Sequence, residues 1–242
     1  MPLILWDVDL TLVRCGPIGR EVFDTAVADA LGSLPGDHGV QMAGKTDPQI
    51  AREILEYAGV RGEACTRQLP GVLAGLERSL AAAADRLAHD GSVLPGAEDV
   101  LRRLAAEPSV VQTVLTGNIR PNARVKLAAF GLDRFIDFDC GAYGSDSPVR
   151  TDLVPIARRR AEQRHGRAFP AEETWVVGDT PLDLACARAG ATRCLLVASG
   201  HHGYDELLAA AAGSRADAVV ADLTDTDAVI GVLLGTGPAP AT

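Results

Sequence analysis

Four apolar residues, Leu3-Ile4-Leu5-Trp6, run straight into two acids one residue apart in the stretch Asp7-Val8-Asp9-Leu10-Thr11-Leu12. An unbroken apolar run of this length reads as a strand buried on both faces, the form strands take in a parallel sheet. Ending it in two carboxylates brings like charges together at the mouth of a core, which is unfavourable unless a cation lies between them. Mg2+ meets that need, because it is held by one or two carboxylates together with substrate phosphate oxygens. A single Asp after a strand is ordinary turn chemistry. The pattern gains meaning only if further acids return to the same sheet edge.

From Pro95-Gly96 onward, strand and helix alternate. The patterns predict helices over 97–106, 121–130, 152–163, 182–189, 204–212 and 225–234, and strands over 110–115, 135–138, 174–177, 193–197 and 218–220. Alternation of this kind implies an α/β fold: a Rossmann-like parallel sheet with helices on both faces. Residues 14–94 differ. They are rich in Ala, Leu, Glu and Arg, with helical spacing over 19–31, 48–58 and 71–88 and no strand pattern. The reading is a core of residues 1–13 and 95–234 interrupted by an all-α insert, 14–94. The Gly-, Pro- and Ala-rich tail, 235–242, is expected to be disordered.

Composition narrows the partners. A net charge of −9 over 242 residues argues against nucleic acid or an anionic membrane as the main partner. No stretch of about 20 apolar residues is present, so no membrane span is expected. The N-terminus lacks the pattern of a signal peptide. Five scattered cysteines without a CxxC pair read as free thiols, and a cytoplasmic protein is expected. Arginine outnumbers lysine 21 to two, and the lysines are Lys45 and Lys126. A lysine retained against such a bias invites a reason that arginine cannot meet.

In open parallel sheets, ligands bind beyond the carboxyl ends of the strands. Polar chemistry follows the predicted strands here. Asp7 and Asp9 follow the first, Thr116-Gly117-Asn118 the second, and Gly178-Asp179-Thr180 a later one, with Asp183 four residues beyond Asp179. An Asp carboxylate can attack phosphorus to form an aspartyl-phosphate. A second acid can protonate the leaving oxygen and then deprotonate water. A hydroxyl and backbone N–H groups can hold phosphate oxygens.

In these motifs the chain resembles the haloacid dehalogenase superfamily, within it the phosphoglycolate phosphatase-like branch, over nearly its whole length. Asp7-Val8-Asp9-Leu10-Thr11 is similar to the family's DxDGT, with Leu10 where Gly is usual, and Gly178–Asp183 is close to its GDxxxD. The resemblance implies Asp7 as nucleophile and Asp9 as general acid/base. Mg2+ would be held by Asp7, the Asp9 carbonyl and Asp179, with Asp183 supporting them. Thr116, Gly117 and Asn118 would hold the phosphoryl group. Relatives that are dehalogenases lack the second acid, so Asp9 favours phosphoryl transfer.

The family's third motif, a cation that neutralises the phosphate and the nucleophile, falls on Arg150, which can bind phosphate bidentately. Lys126 is the rival, although a lysine in a helix is ordinarily a solvated charge. The insert 14–94 corresponds to the family's cap domain. Within it, Thr46 or Asp47 reads as a helix N-cap before Pro48. Lys45 would then sit at a loop tip, placed to meet the substrate's anionic group. The implied activity is Mg2+-dependent hydrolysis of a small phosphorylated metabolite by a monomer or homodimer. The alternatives are a β-phosphoglucomutase-like phosphomutase, a phosphonate hydrolase using Lys45, and a non-catalytic binding protein on the same scaffold.

Overall fold

The computed structural model describes residues 1–33, 36–212 and 217–236. Strands β1 (Leu3–Trp6) and β2 (Val13–Arg14) open the chain. Helices α1 (Ile18–Leu31), α2 (Asp47–Tyr57), α3 (Gly62–Ala82) and α4 (Ala84–Asp90) follow. Next come β3 (Ser92–Val93), α5 (Ala97–Ala105), β4 (Val111–Thr116), α6 (Arg120–Ala128), β5 (Ala142–Tyr143) and α7 (Leu153–His165). Then β6 (Thr174–Gly178), α8 (Pro181–Ala189), β7 (Arg193–Val197), α9 (Tyr204–Ala211), β8 (Ala218–Val220) and α10 (Thr226–Leu234) complete the described elements.

Among the described residues, six strands form one parallel sheet in the order β5-β4-β1-β6-β7-β8. The apolar opening run lies at the centre of this sheet, and all four of its residues are fully buried. Ile4 and Trp6 face a core shared with α1–α6 and α10, whereas Leu3 and Leu5 face a second core built on α7, α8 and α9. Burial on both faces explains why this strand is continuously apolar rather than alternating. The chain visits β4 and β5 on one side of β1 and then crosses to β6 on the other. β1 therefore sits where the strand order reverses, the place where such sheets open a ligand crevice.

Register aligns the three strand ends. Trp6 pairs with Val114 on one side and Val177 on the other, and the Asp7 N–H donates to the Val177 carbonyl at 2.8 Å. Asp7 is thus level with Leu115 and Gly178, and Thr116 and Asp179 lie one residue beyond it.

The structure corrects several sequence expectations. The strand expected at 135–138 is absent: Asp133–Phe135 forms a 3-10 turn, and the strand beside β4 is Ala142–Tyr143. Apolar residues there are buried from a turn, with Asp137 N–H bonded to Gln112 O at 2.9 Å, so burial produced a strand-like pattern without pairing. Residues 14–94 do contain strand. Val13–Arg14 and Ser92–Val93 pair antiparallel where the helical segment leaves and rejoins the sheet, a ribbon too short to show periodicity. The helix expected at 71–88 starts earlier, as α3, and runs through Pro70. Pro70 is exposed, so water can satisfy the carbonyl its ring leaves unbonded, while Cys65, Val72, Leu76 and Leu80 bury the opposite face. In the tail, Gly235 caps α10 in a left-handed conformation, and residues 237–242 lie outside the described residues.

Candidate active site

Asp7, Thr116 and Asp179 converge beyond the carboxyl ends of β1, β4 and β6, at a cavity of about 450 Å3 that lies between these ends and residues from α1, α2 and the loop before α2. Carboxylate oxygens of Asp7, Asp179 and Asp183 all lie within 4.8 Å of one another, and the three residues are buried. Burial, with the charges of Asp7 and Asp183, pushes Asp179 up to about 8 against the pull of Arg150. Burial likewise pushes Asp7 up to about 7, against the pull of Arg150.

The two acids of the opening motif have different partners. Arg150 Nη2 lies 2.9 Å from Asp7 Oδ1 and 2.6 Å from Asp183 Oδ1, and its Nη1 donates to the Gly44 carbonyl at 2.9 Å. Lys126 instead meets Asp9: its Nζ donates to both carboxylate oxygens, at 2.8 and 2.7 Å, and to Asn118 Oδ1 at 2.7 Å. The helix position that reads as a solvated charge is therefore buried. Although burial works to raise Asp9, the charge and donors of Lys126, with Asn118 and Cys15, hold its carboxyl below the usual range. The sequence offered two candidates for one cationic role, and the structure seats each beside a different acid.

The phosphate-holding candidates share one loop. Thr116 Oγ1 accepts from Asn118 Nδ2 at 2.8 Å and from Asn118 N–H at 3.3 Å, and the same Nδ2 donates to Asp9 Oδ2 at 2.7 Å. Gly117 is needed for a close approach: a Cβ there would lie 2.0 Å from the Lys45 carbonyl oxygen. Gly117 O also accepts the Asp47 N–H at 2.7 Å. Lys45 lines the cavity with its ammonium 2.5 Å from Glu53 Oε2.

Asp183 closes a capping box on α8. Its Oδ2 accepts from Thr180 N–H at 3.0 Å and Thr180 Oγ1 at 2.8 Å, while Oδ1 is taken by Arg150. With both oxygens engaged, Asp183 fits a supporting place rather than a metal ligand. Asp179 differs. Thr11 Oγ1 donates to its Oδ1 at 3.4 Å, but its Oδ2 is buried with no hydrogen-bond partner. A buried carboxylate oxygen left without a donor is costly, and a hard cation is the partner its chemistry fits. Asp137, Cys140 and His165 also cluster, but Arg164 Nε is 2.6 Å from the Asp137 oxygen concerned.

Sequence reasoning took Asp47 only as an N-cap candidate and Cys15 only as a free thiol, and placed neither at the site. Thr46 is the N-cap of α2, accepting from Gln49 N–H, and Asp47 Oδ2 instead accepts the Ile119 N–H at 2.7 Å, joining α2 to the start of α6. Burial pushes Asp47 up to about 7. Cys15 Sγ lies 3.3 Å from Asp9 Oδ1 as a thiol that burial pushes up to about 12. Both partnerships cross long sequence separations or a turn, and no local pattern announces them.

The chain is similar to known proteins over most of its length. Residues 4–188 match the family described as haloacid dehalogenase-like hydrolase. The chain is 30% identical over 205 residues to a phosphoglycolate phosphatase (plasmid) of Cupriavidus necator, covering 83% of this chain and 82% of that protein. A hydrolase from Pseudomonas syringae shares its fold with a TM-score of 0.64 at 22% identity, covering 93% of this chain and 95% of that one. CbbY from Rhodobacter sphaeroides, solved in complex with phosphate, does so with a TM-score of 0.64 at 19% identity, covering 96% and 99%.

Proposed function

This chain belongs to the haloacid dehalogenase-like hydrolase family, and from that premise we propose that it is a Mg2+-dependent phosphatase acting on a small phosphomonoester through an aspartyl-phosphate at Asp7. The observation that carries the reading is the convergence of Asp7 and Asp179 on one cavity, with Asp183 buried within 4.8 Å of both, Arg150 paired with Asp7 and Asp9 beside it.

Asp7 attacks phosphorus, and the bond from phosphorus to the leaving oxygen breaks as Asp9 supplies the proton. Water then attacks the aspartyl-phosphate, Asp9 takes its proton, and the P–O bond to Asp7 breaks to release phosphate. Arg150 holds Asp7 in place and balances its charge, and Thr116 with the backbone of Gly117 and Asn118 holds phosphoryl oxygens. Asp7, the Asp9 carbonyl and Asp179 would hold Mg2+, which supplies charge neutralisation at the phosphoryl group when bound. Residues 14–94 act as the cap domain that covers the cavity and excludes bulk water.

The Cupriavidus necator relative is a phosphoglycolate phosphatase, and phosphoglycolate or a comparable phosphorylated acid is the leading substrate. Arg14, Arg20 and Lys45 line the cavity as candidate partners for its second anionic group. Lys45 is ion-paired with Glu53, its Nζ 2.5 Å from Glu53 Oε2, so a substrate anion would share this ammonium with that carboxylate. The test is D7N assayed with Mg2+ on a panel of phosphate esters that includes phosphoglycolate. Wild type should release phosphate, and D7N should be inactive while its circular dichroism is unchanged. Turnover by D7N would sink the assignment.

A further inference from the structure

We propose that Lys126 is a positioning residue that clamps the Asp9 carboxylate, together with Asn118, in the orientation from which Asp9 takes the proton of the water that attacks the aspartyl-phosphate. The proposal rests on the phosphatase reading and adds to it a residue for which the first motif gives no cue.

The ammonium of Lys126 has three N–H donors, and three acceptors face it: Asp9 Oδ1 at 2.8 Å, Asp9 Oδ2 at 2.7 Å and Asn118 Oδ1 at 2.7 Å. Asn118 completes the clamp, since its Nδ2 donates to Asp9 Oδ2 at 2.7 Å and to Thr116 Oγ1 at 2.8 Å. Asp9 is thus tied through Asn118 to Thr116, the residue that ends β4, the strand beside β1. Both residues line the cavity, but the Lys126 side chain is 10% exposed and that of Asp9 39%. Lys126 is the more buried partner, and Asp9 is left the more open to a substrate.

A neutralising role toward the phosphoryl group fits Lys126 poorly. Its three donors are already engaged, and Arg150 occupies the place beside Asp7. In a chain with 21 arginines and two lysines, a guanidinium could pair with the two Asp9 oxygens through its flat fork, whereas the compact ammonium also directs a third donor to Asn118 Oδ1.

Loss of the clamp should affect the two half-reactions differently. Departure of a poor leaving group such as an alkoxide needs the proton from Asp9, but nitrophenolate leaves without one. Attack of water on the aspartyl-phosphate needs Asp9 to take a proton whatever the first leaving group was. K126M should therefore slow steady-state turnover of phosphoglycolate and of p-nitrophenyl phosphate by roughly 10²-fold, in the range of a general acid–base contribution. With p-nitrophenyl phosphate its first turnover should stay fast. A burst of about one nitrophenolate per active site should precede the slow phase, and mass spectrometry should find one phosphoryl group on Asp7.

K126R retains the charge without the three-point match and should show the same burst with a smaller loss. If K126M fails to fold, K126R carries the test. Equal slowing of both esters without a burst, or K126R indistinguishable from wild type, overturns the proposal. Failure of the phosphatase reading looks different, because wild type would then turn over no ester or D7N would remain active.

Discussion

Leu10 adopts φ of +61°, the left-handed conformation, at the position where the resembling motif has glycine. The turn after Asp9 is held by backbone hydrogen bonds: Leu10 N–H bonds Val13 O at 2.8 Å, and Leu12 and Val13 N–H both bond Val8 O. Ser199 Oγ donates to Leu10 O at 2.6 Å and helps to pin the turn. A side chain in this conformation costs about 1–2 kcal/mol, which the bonds around the turn offset. L10G removes that strain and adds chain entropy of about 0.5–1 kcal/mol to the unfolded state. It should therefore leave stability in urea within about 1 kcal/mol of wild type. L10V, whose branched Cβ is worse suited to positive φ, should lose about 1–2 kcal/mol more than L10G in the same titration. The DxDGT resemblance identifies the position, and only backbone geometry explains how leucine occupies it.

At the scale of elements, the loop leading into α2 is seated against the core by several independent contacts. Thr46 Oγ1 donates to Pro148 O at 2.9 Å, Asp47 N–H to Gly117 O at 2.7 Å, Ile119 N–H to Asp47 Oδ2 at 2.7 Å and Arg150 Nη1 to Gly44 O at 2.9 Å. The stretch Gly44-Lys45-Thr46-Asp47-Pro48 thus does more than start a helix: it docks the helical segment on the loops after β4 and β5. G117A would place a methyl against the Lys45 carbonyl and force these strands of chain apart. The expected cost is about 1–3 kcal/mol, as for other overpacked sites, and limited proteolysis should cut faster near residues 43–48. Unchanged proteolysis would show that the loop relaxes without undocking. Helix periodicity and caps made α1, α2 and α5 legible to within a residue or two, because local geometry specifies them. β3 and β5 were not legible, because two-residue strands exist only by virtue of their partners.

Across the whole molecule, an acidic chain encloses a cavity edged by cations. Net charge is −9, yet Arg14, Arg20, Lys45 and Arg150 line the cavity beside Asp7, Asp9, Asp47 and Asp179, so cations are concentrated there relative to the chain as a whole. The acids at its floor make the fold's stability depend on pH and on a cation together. Without the ion, Asp7 and Asp179 are raised, chiefly by burial, to about 7 and about 8. The folded protein then keeps protons that the unfolded chain releases near pH 4, so ion-free stability should fall as pH rises from about 4 to about 8. A divalent cation requires both groups ionised, so the rise in Tm caused by Mg2+ should be larger at about pH 8 than at about pH 6. Differential scanning fluorimetry measures both trends, and D179N should flatten the Mg2+ response. The sequence alone determined the α/β class, the helical segment and the acids that follow β1 and β6, because side-chain periodicity and strand-end polarity are local consequences of burying a parallel sheet. Tertiary structure decided which cation meets which acid: Arg150 reaches Asp7 across 143 positions and Lys126 reaches Asp9 across 117. Such pairings depend on how folded elements aim their side chains into a shared cavity, and spacing along the chain does not encode that direction.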